Sequence, residues 1–284
     1  MRFTITMQKK VAAVHDISGF GRCALTTALP ILSACGIHCC SVPSAVLSAH
    51  TAFKGVTFRD LTEDLDAFIR NWASIGVRLD GIYSGYLGSE KQIEQVLLLK
   101  ELCGKEGCRL IVDPVMGDNG KAYAIVGHEG FITAIRELCA KADVVTPNLT
   151  ECALLLGMEP NAYTDSMEAA EDYMRRLAAR GPSQIVVTGL TKDGQVGAGY
   201  YDKNTDEVGF IFHEHIPVYY PGTGDLFTSV LTARLFADQP YSLHDAVESA
   251  ALFVMECAKY TNAQGSPTIE GVQFEKQLYR LIQE

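Results

Sequence analysis

Short apolar runs alternate with longer amphipathic stretches along the first two thirds of the chain. The amphipathic stretches carry apolar residues at helical spacing, for example over Leu61–Trp72, Lys91–Leu102 and Glu168–Ala179. A strand that is apolar almost throughout is buried on both faces, as in parallel sheets covered by helices on both sides. We therefore predict an α/β fold with a mostly parallel sheet. Its predicted strands are Val11–Val14, Cys39–Leu47, Gly81–Ser84, Leu110–Asp113, Val144–Thr146 and Gln184–Thr188.

The pattern changes after the last of these strands. From Val196 to Tyr220 the chain is rich in glycine and tyrosine and alternates in polarity, which favours antiparallel strands added at one edge of the sheet. Because no linker, repeat or low-complexity segment interrupts the chain, we predict one domain over residues 1–284, with residues 1–9 as a loosely ordered extension. The helices predicted to close the chain are Asp225–Phe236, Leu243–Tyr260 and one around Phe274–Ile282.

Composition excludes several classes of partner. The formal net charge is −10 without an offsetting basic stripe, which argues against nucleic acid. No run approaches the ~18 apolar residues of a membrane span, and the first ten residues lack the apolar core of a signal peptide. The nine cysteines lack paired Cys-x-x-Cys spacing and lie mostly in apolar segments, which favours buried thiols over zinc ligands or disulfides. We therefore expect a cytoplasmic protein that has no membrane partner.

Polar residues and glycines collect directly after the predicted strands. Ligands of open α/β sheets bind outside the carboxyl ends of the strands, so six such loops on one rim outline a site. The loops are His15–Gly21, Ser48–Thr51, Ser84–Ser89, Asp113–Asp118, Thr146–Glu151 and Thr188–Gly189.

The segment Gly222-Thr223-Gly224-Asp225 precedes a predicted helix and suggests phosphoryl transfer. The first turn of a helix has unpaired N–H groups and a partial positive charge, and glycines let the backbone approach an anion. Asp225 then stands where it could accept a proton from an attacking hydroxyl. The structural alternative is a simple turn with a Thr or Asp helix cap.

Two pairs of side chains with oxygen ligands follow predicted strands. Asp113 ends one predicted strand, and Asp118 follows that strand. Carboxylate oxygens are suitable ligands for Mg²⁺, which also keeps several bound waters. Asn148 and Glu151 are three residues apart at the start of a helix, so they face the same side and could hold hydrated magnesium against phosphates. The alternatives are a capping role for Asp113, a solvated Asp118 and a favourable interaction of Glu151 with the helix dipole.

The remaining signals are weaker. The loop Asp16–Gly21 contains a Gly-x-Gly turn but lacks the third glycine of a dinucleotide-binding fold, and no Walker lysine occurs in the chain. His50 and Thr51 are consistent with a helix cap as well as with a binding site. Tyr86 could form an aromatic wall for a flat ring or be a core tyrosine.

Taken together, these segments resemble the ribokinase superfamily and, within it, the pyridoxal kinases, from Lys10 to about Gly265. The resemblance implies a ribokinase-like three-layer α/β/α sandwich with a mostly parallel central sheet and antiparallel edge strands. It also implies transfer of phosphate from ATP to the 5′-hydroxymethyl group of pyridoxal, pyridoxine or pyridoxamine with Mg²⁺, often helped by K⁺, in a homodimer. The motifs that carry it are Ser84–Ser89, Asp113–Asp118, Thr146–Glu151 and Gly222–Asp225.

The resemblance also implies roles by position. Asp225 is similar to the catalytic base, and the anion hole is implied at Gly222, Thr223 and Gly224. Contacts to ATP are implied at Asp113, Asp118, Thr146, Asn148, Thr188 and Gly224. Metal ligation is implied at Asp113, Asp118 and Glu151. Substrate contacts are implied at Asp16, Ser18, His50, Thr51 and Tyr86.

The chain departs from the pyridoxal kinase pattern in two places. The loop Asp16–Gly21 differs from the Ser-His-Val type and is similar to hydroxymethylpyrimidine kinases, which makes such a kinase the alternative function. Some relatives carry an aldehyde-reactive cysteine where Lys121–Tyr123 stands here, so covalent capture of pyridoxal is not expected. A non-catalytic binder is disfavoured by the intact Gly222–Asp225 segment, and an NAD-dependent oxidoreductase by the missing glycine fingerprint.

Overall fold

A computed structural model describes residues 7–128 and 130–282. Most of the predicted N-terminal extension, residues 1–6, lies outside this range. The Gln8 side chain donates to the Gly36 carbonyl (2.9 Å), and the Lys9 carbonyl accepts from the His38 N–H (2.9 Å), so these two residues contact the body of the protein.

The chain forms eleven strands and eight α-helices within the described range. The strands are β1 (Lys10–Ser18), β2 (His38–Leu47), β3 (Phe58–Asp60), β4 (Leu79–Ser84), β5 (Gly104–Val112), β6 (Gly117–Asp118), β7 (Lys121–Ala122), β8 (Val144–Val145), β9 (Gln184–Lys192), β10 (Gln195–Asp202) and β11 (Glu207–Glu214). The helices are α1 (Ala24–Ala34), α2 (Thr62–Ser74), α3 (Glu90–Cys103), α4 (Phe131–Ala140), α5 (Leu149–Leu156), α6 (Met167–Ala178), α7 (Thr223–Leu235) and α8 (Leu243–Gln264). Short 3₁₀ segments cover Ala124–Gly127, Thr268–Glu270 and Glu275–Arg280.

Nine of the strands form one sheet in the order β11-β10-β9-β8-β5-β4-β1-β2-β3. The strands from β9 to β2 run parallel to their neighbours, whereas β10, β11 and β3 pair antiparallel at the two edges. The register aligns Val14 with Ser84 and Ser84 with Val112, and Val112 with Val145. The loops that follow these strands therefore begin at the same level on one rim.

Helices cover both faces of the sheet and confirm the three-layer α/β/α architecture. On one face, Ala12 and Val14 of β1 belong to a core shared with α2, α3, α4, α5 and α6. On the other face, Val11 and Ala13 belong to a core shared with α1, α7 and α8. Successive strand residues point to opposite faces, and burial of both explains the apolar runs in the sequence.

Three predicted boundaries were wrong. Helix α7 begins at Thr223 instead of Asp225, after an N-cap Gly222 in the left-handed conformation (φ 81°). The antiparallel strands end at Glu214 and do not extend to Tyr220, and an additional antiparallel strand, β3, lies at the opposite edge. The final predicted helix is the 3₁₀ segment Glu275–Arg280.

The nine cysteines are all free, and seven of them are buried, which confirms the prediction of buried thiols. Among the described residues, no helix is both long enough and apolar enough to cross a bilayer.

Candidate active site

Five carboxyl groups lie next to one another along the rim where the parallel strands end, and we call them the carboxylate row. The Asp225 carboxyl interacts electrostatically with those of Asp16 and Asp113. Glu151 in turn interacts with Asp113 and Asp118. Loops far apart in sequence thus bring their acidic side chains together. The members of the row, in spatial order, are Asp16, Asp225, Asp113, Glu151 and Asp118.

Asp225 occupies the first turn of α7. The backbone N–H of Ala24, the first residue of α1, donates a hydrogen bond to its carboxylate. Burial raises the pKa of Asp225 to about 7, with a smaller contribution from the charge of Asp16, and this outweighs the Ala24 hydrogen bond. A carboxylate with a pKa near neutrality is suited to accept a proton at physiological pH.

The turn before Asp225 leaves backbone donors without a partner among the described residues. Leu226 is the first residue of α7 whose N–H donates within the helix, to the Gly222 carbonyl at 3.0 Å, so the N–H groups of Thr223, Gly224 and Asp225 precede the intrahelical ladder. A methyl group on Gly222 would lie 2.0 Å from the Arg22 carbonyl, whereas one on Gly224 would meet open space. This end of α7 therefore presents free donors to an accessible volume.

Asp113 lies at the end of β5 and is buried (7% exposed). Thr228, one turn beyond Asp225 on α7, lies 3.4 Å from Asp113 Oδ2 and 3.1 Å from the Thr146 hydroxyl. Burial raises the pKa of Asp113 well above its ordinary value, and the nearby charge of Asp225 adds to this. Thr146 and Asp113 are thus linked through a residue that the sequence analysis did not single out.

Asn148 and Glu151 form a capping box at the N-terminus of α5. Glu151 N–H donates to Asn148 Oδ1 (3.0 Å) and Asn148 N–H to Glu151 Oε2 (2.8 Å). Glu151 Oε1 also accepts from the Met116 N–H (3.1 Å), and Asn148 Nδ2 donates to the Gly117 carbonyl (2.8 Å). Glu151 lies in the first turn of α5, as the helix-dipole alternative requires, and the capping box is a further structural role that the sequence analysis did not predict. Burial, followed by the charge of Asp113, raises the pKa of Glu151 well above its ordinary value.

Asp118 lies on the β6–β7 hairpin at the end of the row. Its Oδ1 accepts from the Asn119 N–H (2.8 Å), and its Oδ2 lies 3.0 Å from Asn119 Nδ2 and 3.4 Å from the Tyr219 hydroxyl. Thr188, in the middle of β9, forms an isolated parallel β-bridge with Asn148. Thr188 therefore lies next to the capping box, and Asp118 interacts electrostatically with Glu151 of the same box.

The predicted substrate residues are only partly brought together. Ser18 donates to Asp16 Oδ2 (3.0 Å), and Asp16 contributes to the raised pKa of Tyr86, for which burial is the main cause. Asp16, Ser18 and Tyr86 therefore lie near one another beside Asp225. His50 differs because both its ring nitrogens are engaged, by the Ala52 N–H (3.3 Å) and the Ile269 carbonyl (2.7 Å). Thr51 is exposed on the adjacent turn.

The donor set of the row fits a divalent cation. None of the ion pairs formed within residues 7–128 and 130–282 involves a member of the row, although three members, Asp16, Asp113 and Glu151, are buried. Buried charges are ordinarily paired or bound to metal. Carboxylate oxygens are the ligands that Mg²⁺ prefers, so Asp113, Glu151 and Asp118 could hold it.

Comparison with known proteins decides the family. A family model described as phosphomethylpyrimidine kinase matches residues 25–270. A pyridoxine/pyridoxal/pyridoxamine kinase of Bordetella avium is 30% identical over 268 residues, covering 90% of this chain and 86% of that protein. The chain belongs to the pyridoxal kinase and phosphomethylpyrimidine kinase family.

Solved structures of this family agree with the fold. A candidate phosphomethylpyrimidine kinase of Bacteroides thetaiotaomicron, in a crystal form with pyridoxal, is 36% identical with a TM-score of 0.90, covering 98% of this chain and 96% of that chain. Pyridoxal kinase of Lactobacillus plantarum is 27% identical with a TM-score of 0.87, covering 98% and 97%. The resemblance to pyridoxal kinases is confirmed, and the protein is a kinase of the ribokinase-like superfamily.

The carboxylate row predicts how the stability of the metal-free kinase depends on pH. Burial raises the pKa of Asp225 to about 7 and those of Asp113 and Glu151 well above their ordinary values, so the folded protein holds protons that the unfolded chain releases near pH 4. Stability is therefore lost as the pH rises from the unfolded values near 4 through the folded pKa values. The loss from Asp225 continues slightly above its folded pKa of about 7, so we expect a higher melting temperature in EDTA at pH 7 than at pH 8. Below pH 6.5 the neutral buried His15, with a pKa of about 3, opposes this trend.

The variant Asp225→Asn tests the assignment, because it removes the carboxyl group whose pKa is about 7. We expect a smaller difference in melting temperature between pH 7 and pH 8 in this variant than in the wild-type protein. The isosteric exposed change Asp193→Asn serves as the control and should leave the difference unaltered. A wild-type melting temperature that rises from pH 7 to pH 8 would contradict the prediction.

Proposed function

We propose that this kinase transfers the γ-phosphate of ATP to the 5′-hydroxymethyl group of pyridoxal, and also of pyridoxine and pyridoxamine. The observation that carries the proposal is the placement of Asp225. Its carboxylate has a pKa of about 7 and stands beside the unpaired N–H groups of α7. The similarity to the Bordetella avium kinase and to the Bacteroides thetaiotaomicron structure with pyridoxal supports the choice of substrate.

In the proposed reaction the substrate hydroxyl approaches the γ-phosphate in line with the leaving group. Asp225 accepts the hydroxyl proton as the new O–P bond forms and the bond to ADP breaks. The N–H groups of Thr223, Gly224 and Asp225, with the dipole of α7, stabilise the charge on the transferring group. Because Gly222 and Gly224 have no side chains, none stands between the oxygen and the phosphate.

The remaining rim residues are assigned to the two substrates. We propose that Asp113, Asp118 and Glu151 hold Mg²⁺, which when bound supplies charge neutralisation at the ATP phosphates. Asp16, Ser18 and Tyr86 would line the pyridine ring, with His50 and Thr51 completing its outer wall. Thr146, Asn148 and Thr188 would contact the nucleotide, together with Asp113, Asp118 and Gly224.

Further features of the proposed enzyme rest on the resemblance, for K⁺ and the dimer, and on the sequence composition, for the location and the single domain. We propose that K⁺ assists the reaction, that the enzyme is a homodimer and that it acts in the cytoplasm. The chain is proposed to act as one domain over residues 1–284.

A second candidate is phosphorylation of hydroxymethylpyrimidine or its phosphate. The loop Asp16–Gly21 favours it, because the sequence of this loop is similar to hydroxymethylpyrimidine kinases, as does the description of the matching family model. The chemistry at Asp225 would be the same, and only the ring contacts would differ.

Measurement of ADP release separates the two candidates. The purified protein would be given ATP and Mg²⁺ with pyridoxal or hydroxymethylpyrimidine at equal concentration. We expect faster turnover with pyridoxal. Preference for the pyrimidine would transfer the assignment to the second candidate, and no ADP release with either compound would contradict both.

A further inference from the structure

The last part of the chain contacts the loops that surround Asp225. We call residues Pro267–Glu275 the C-terminal strap; the match to the family model ends within it, at residue 270. The Ile269 carbonyl accepts from His50 Nε2 (2.7 Å), which must carry the proton because the Ala52 N–H donates to Nδ1 (3.3 Å). The Glu270 carbonyl accepts from the Arg22 N–H (3.1 Å). The strap therefore holds both the loop after β1 and the loop after β2.

Two glycines bring the strap directly against the anion-hole turn. Gly271 has φ 80°, and a methyl group there would lie 3.0 Å from the Arg22 carbonyl and 3.1 Å from the Pro221 carbonyl. Gly222 has φ 81°, and a methyl group there would lie 2.0 Å from the same Arg22 carbonyl. Three backbone segments thus meet around Arg22 without intervening side chains. A displacement of one segment must displace the others, because packed interiors do not deform continuously.

The strap itself is fixed to the body of the protein. Val272 and Phe274 are buried (2% and 3% exposed) in the core formed with α1, α7 and α8. The Gln273 N–H donates to the hydroxyl of the buried Thr261 (2.8 Å). At the end of the strap, Glu275 Oε1 accepts from Arg22 Nε at 2.6 Å. The strap can therefore act as a rigid support.

We propose that the C-terminal strap is a positioning element of the active site, acting through Gly271 and the Arg22–Glu275 ion pair to hold the Gly222 turn against the N-terminus of α1. The inference rests on the proposed role of Asp225, whose carboxylate accepts from the Ala24 N–H two residues beyond Arg22. Neither Gly271 nor Glu275 touches the reacting atoms. Both determine where Asp225 and the free N–H groups of α7 stand.

A pair of glycine variants tests the proposal. Gly265 also has a positive φ (64°, with ψ 25°), but a methyl group there meets nothing within 4 Å, so Gly265→Ala places alanine in the left-handed region without contact. Gly271 has ψ −178°, a conformation almost exclusive to glycine, so Gly271→Ala adds greater backbone strain to its close contacts. We expect Gly271→Ala to lower kcat with pyridoxal about tenfold, because displacements below 1 Å are costly in catalysis, with little change in KM. Gly265→Ala should retain the wild-type kcat. Both variants would be checked by thermal melting.

Amide hydrogen exchange gives a second measurement that needs no turnover. We expect Gly271→Ala, but not Gly265→Ala, to accelerate exchange at residues 221–226. If wild-type protein did not phosphorylate pyridoxal while this acceleration was observed, the proposed function would fail and the positioning role would stand. The positioning role would be overturned if both variants exchanged at the wild-type rate. It would also be overturned if Gly271→Ala and Gly265→Ala had the same kcat at an unchanged melting temperature.

Charge reversal tests the ion pair separately. We expect Arg22→Glu and Glu275→Arg each to lower kcat several-fold, and the double variant to recover most of the loss because the pair is restored with opposite polarity. A purely structural contribution would change the melting temperature of the single variants and leave kcat unaltered, which would contradict a positioning role.

Discussion

Replacement of Asp225 by asparagine is expected to lower turnover at least ~100-fold, the low end of the contribution of a general base. Asparagine retains the shape of the side chain and an oxygen that can accept from the Ala24 N–H, so the turn and α7 should remain in place. The amide cannot accept the substrate proton. ADP release with saturating pyridoxal measures the loss, and KM should change little because the substrate contacts are retained.

The pH profile provides an independent test of the same residue. Burial and the charge of Asp16 raise the pKa of Asp225 to about 7, and the base must be ionised to act. The value of kcat/KM for the wild-type enzyme should therefore rise with pH through an inflection near 7, and this limb should be absent in Asp225→Asn. Asp245→Asn is the matched control variant, because Asp245 also lies in the first turn of a helix, α8, but is exposed. Wild-type turnover in Asp225→Asn, with the fold intact, would refute the mechanism.

The parallel part of the sheet could be predicted because burial on both faces leaves a direct trace in the sequence. Strands such as β1 and β9 are apolar at successive positions. The sequence therefore predicted their order along the chain and the rim at which they end. Strand β3 leaves no such trace. Its three residues, Phe58–Asp60, are all exposed, and pairing with β2 at the sheet edge is a tertiary contact without local pattern.

The start of α7 shows why a helix boundary was misplaced. The prediction began the helix at Asp225, after the Gly-Thr-Gly segment, which is a poor helical sequence by propensity. In the structure Gly222 adopts φ 81° as the N-cap and Thr223 is already helical. The close approach of Gly222 to the carbonyl of Arg22, which lies two hundred positions earlier in the chain, fixes this conformation. Local propensity is overridden by a contact that the sequence does not reveal.

Some of the site residues could be predicted from the sequence, and others could not. Thr228 could have been found, since it lies three residues after Asp225 on one helix and so shares its face. Ala24 carries no signal, because its role is a backbone N–H brought to Asp225 by packing of α1 against α7. For Asn148 and Glu151 the sequence indicated a metal site or an interaction of Glu151 with the helix dipole, and the capping box was not predicted. The structure contains the cap and also places Glu151 in the carboxylate row, so the two functions are compatible.

Replacement of Gly222 by alanine is expected to destabilise the protein by about 3 kcal/mol. The left-handed backbone costs a residue with a Cβ about 1–3 kcal/mol, and overpacking adds a similar amount. The methyl group would lie 2.0 Å from the Arg22 carbonyl, a backbone atom that can yield only if the loop moves. Turnover should fall together with stability, since that movement displaces the N–H groups of α7. Denaturant unfolding and ADP release measure the two effects.

Gly224→Ala is the matched control for the stability effect. A methyl group on Gly224 meets open space, and Gly224 has a negative φ within the helix. We expect its melting temperature to stay within about 1 °C of wild type, against a decrease of about 6 °C or more for Gly222→Ala. Equal stability of the two variants would show that the turn can relax. The close contact between Gly222 and Arg22 would then not hold the anion hole in place, and the free donors of α7 would need another support.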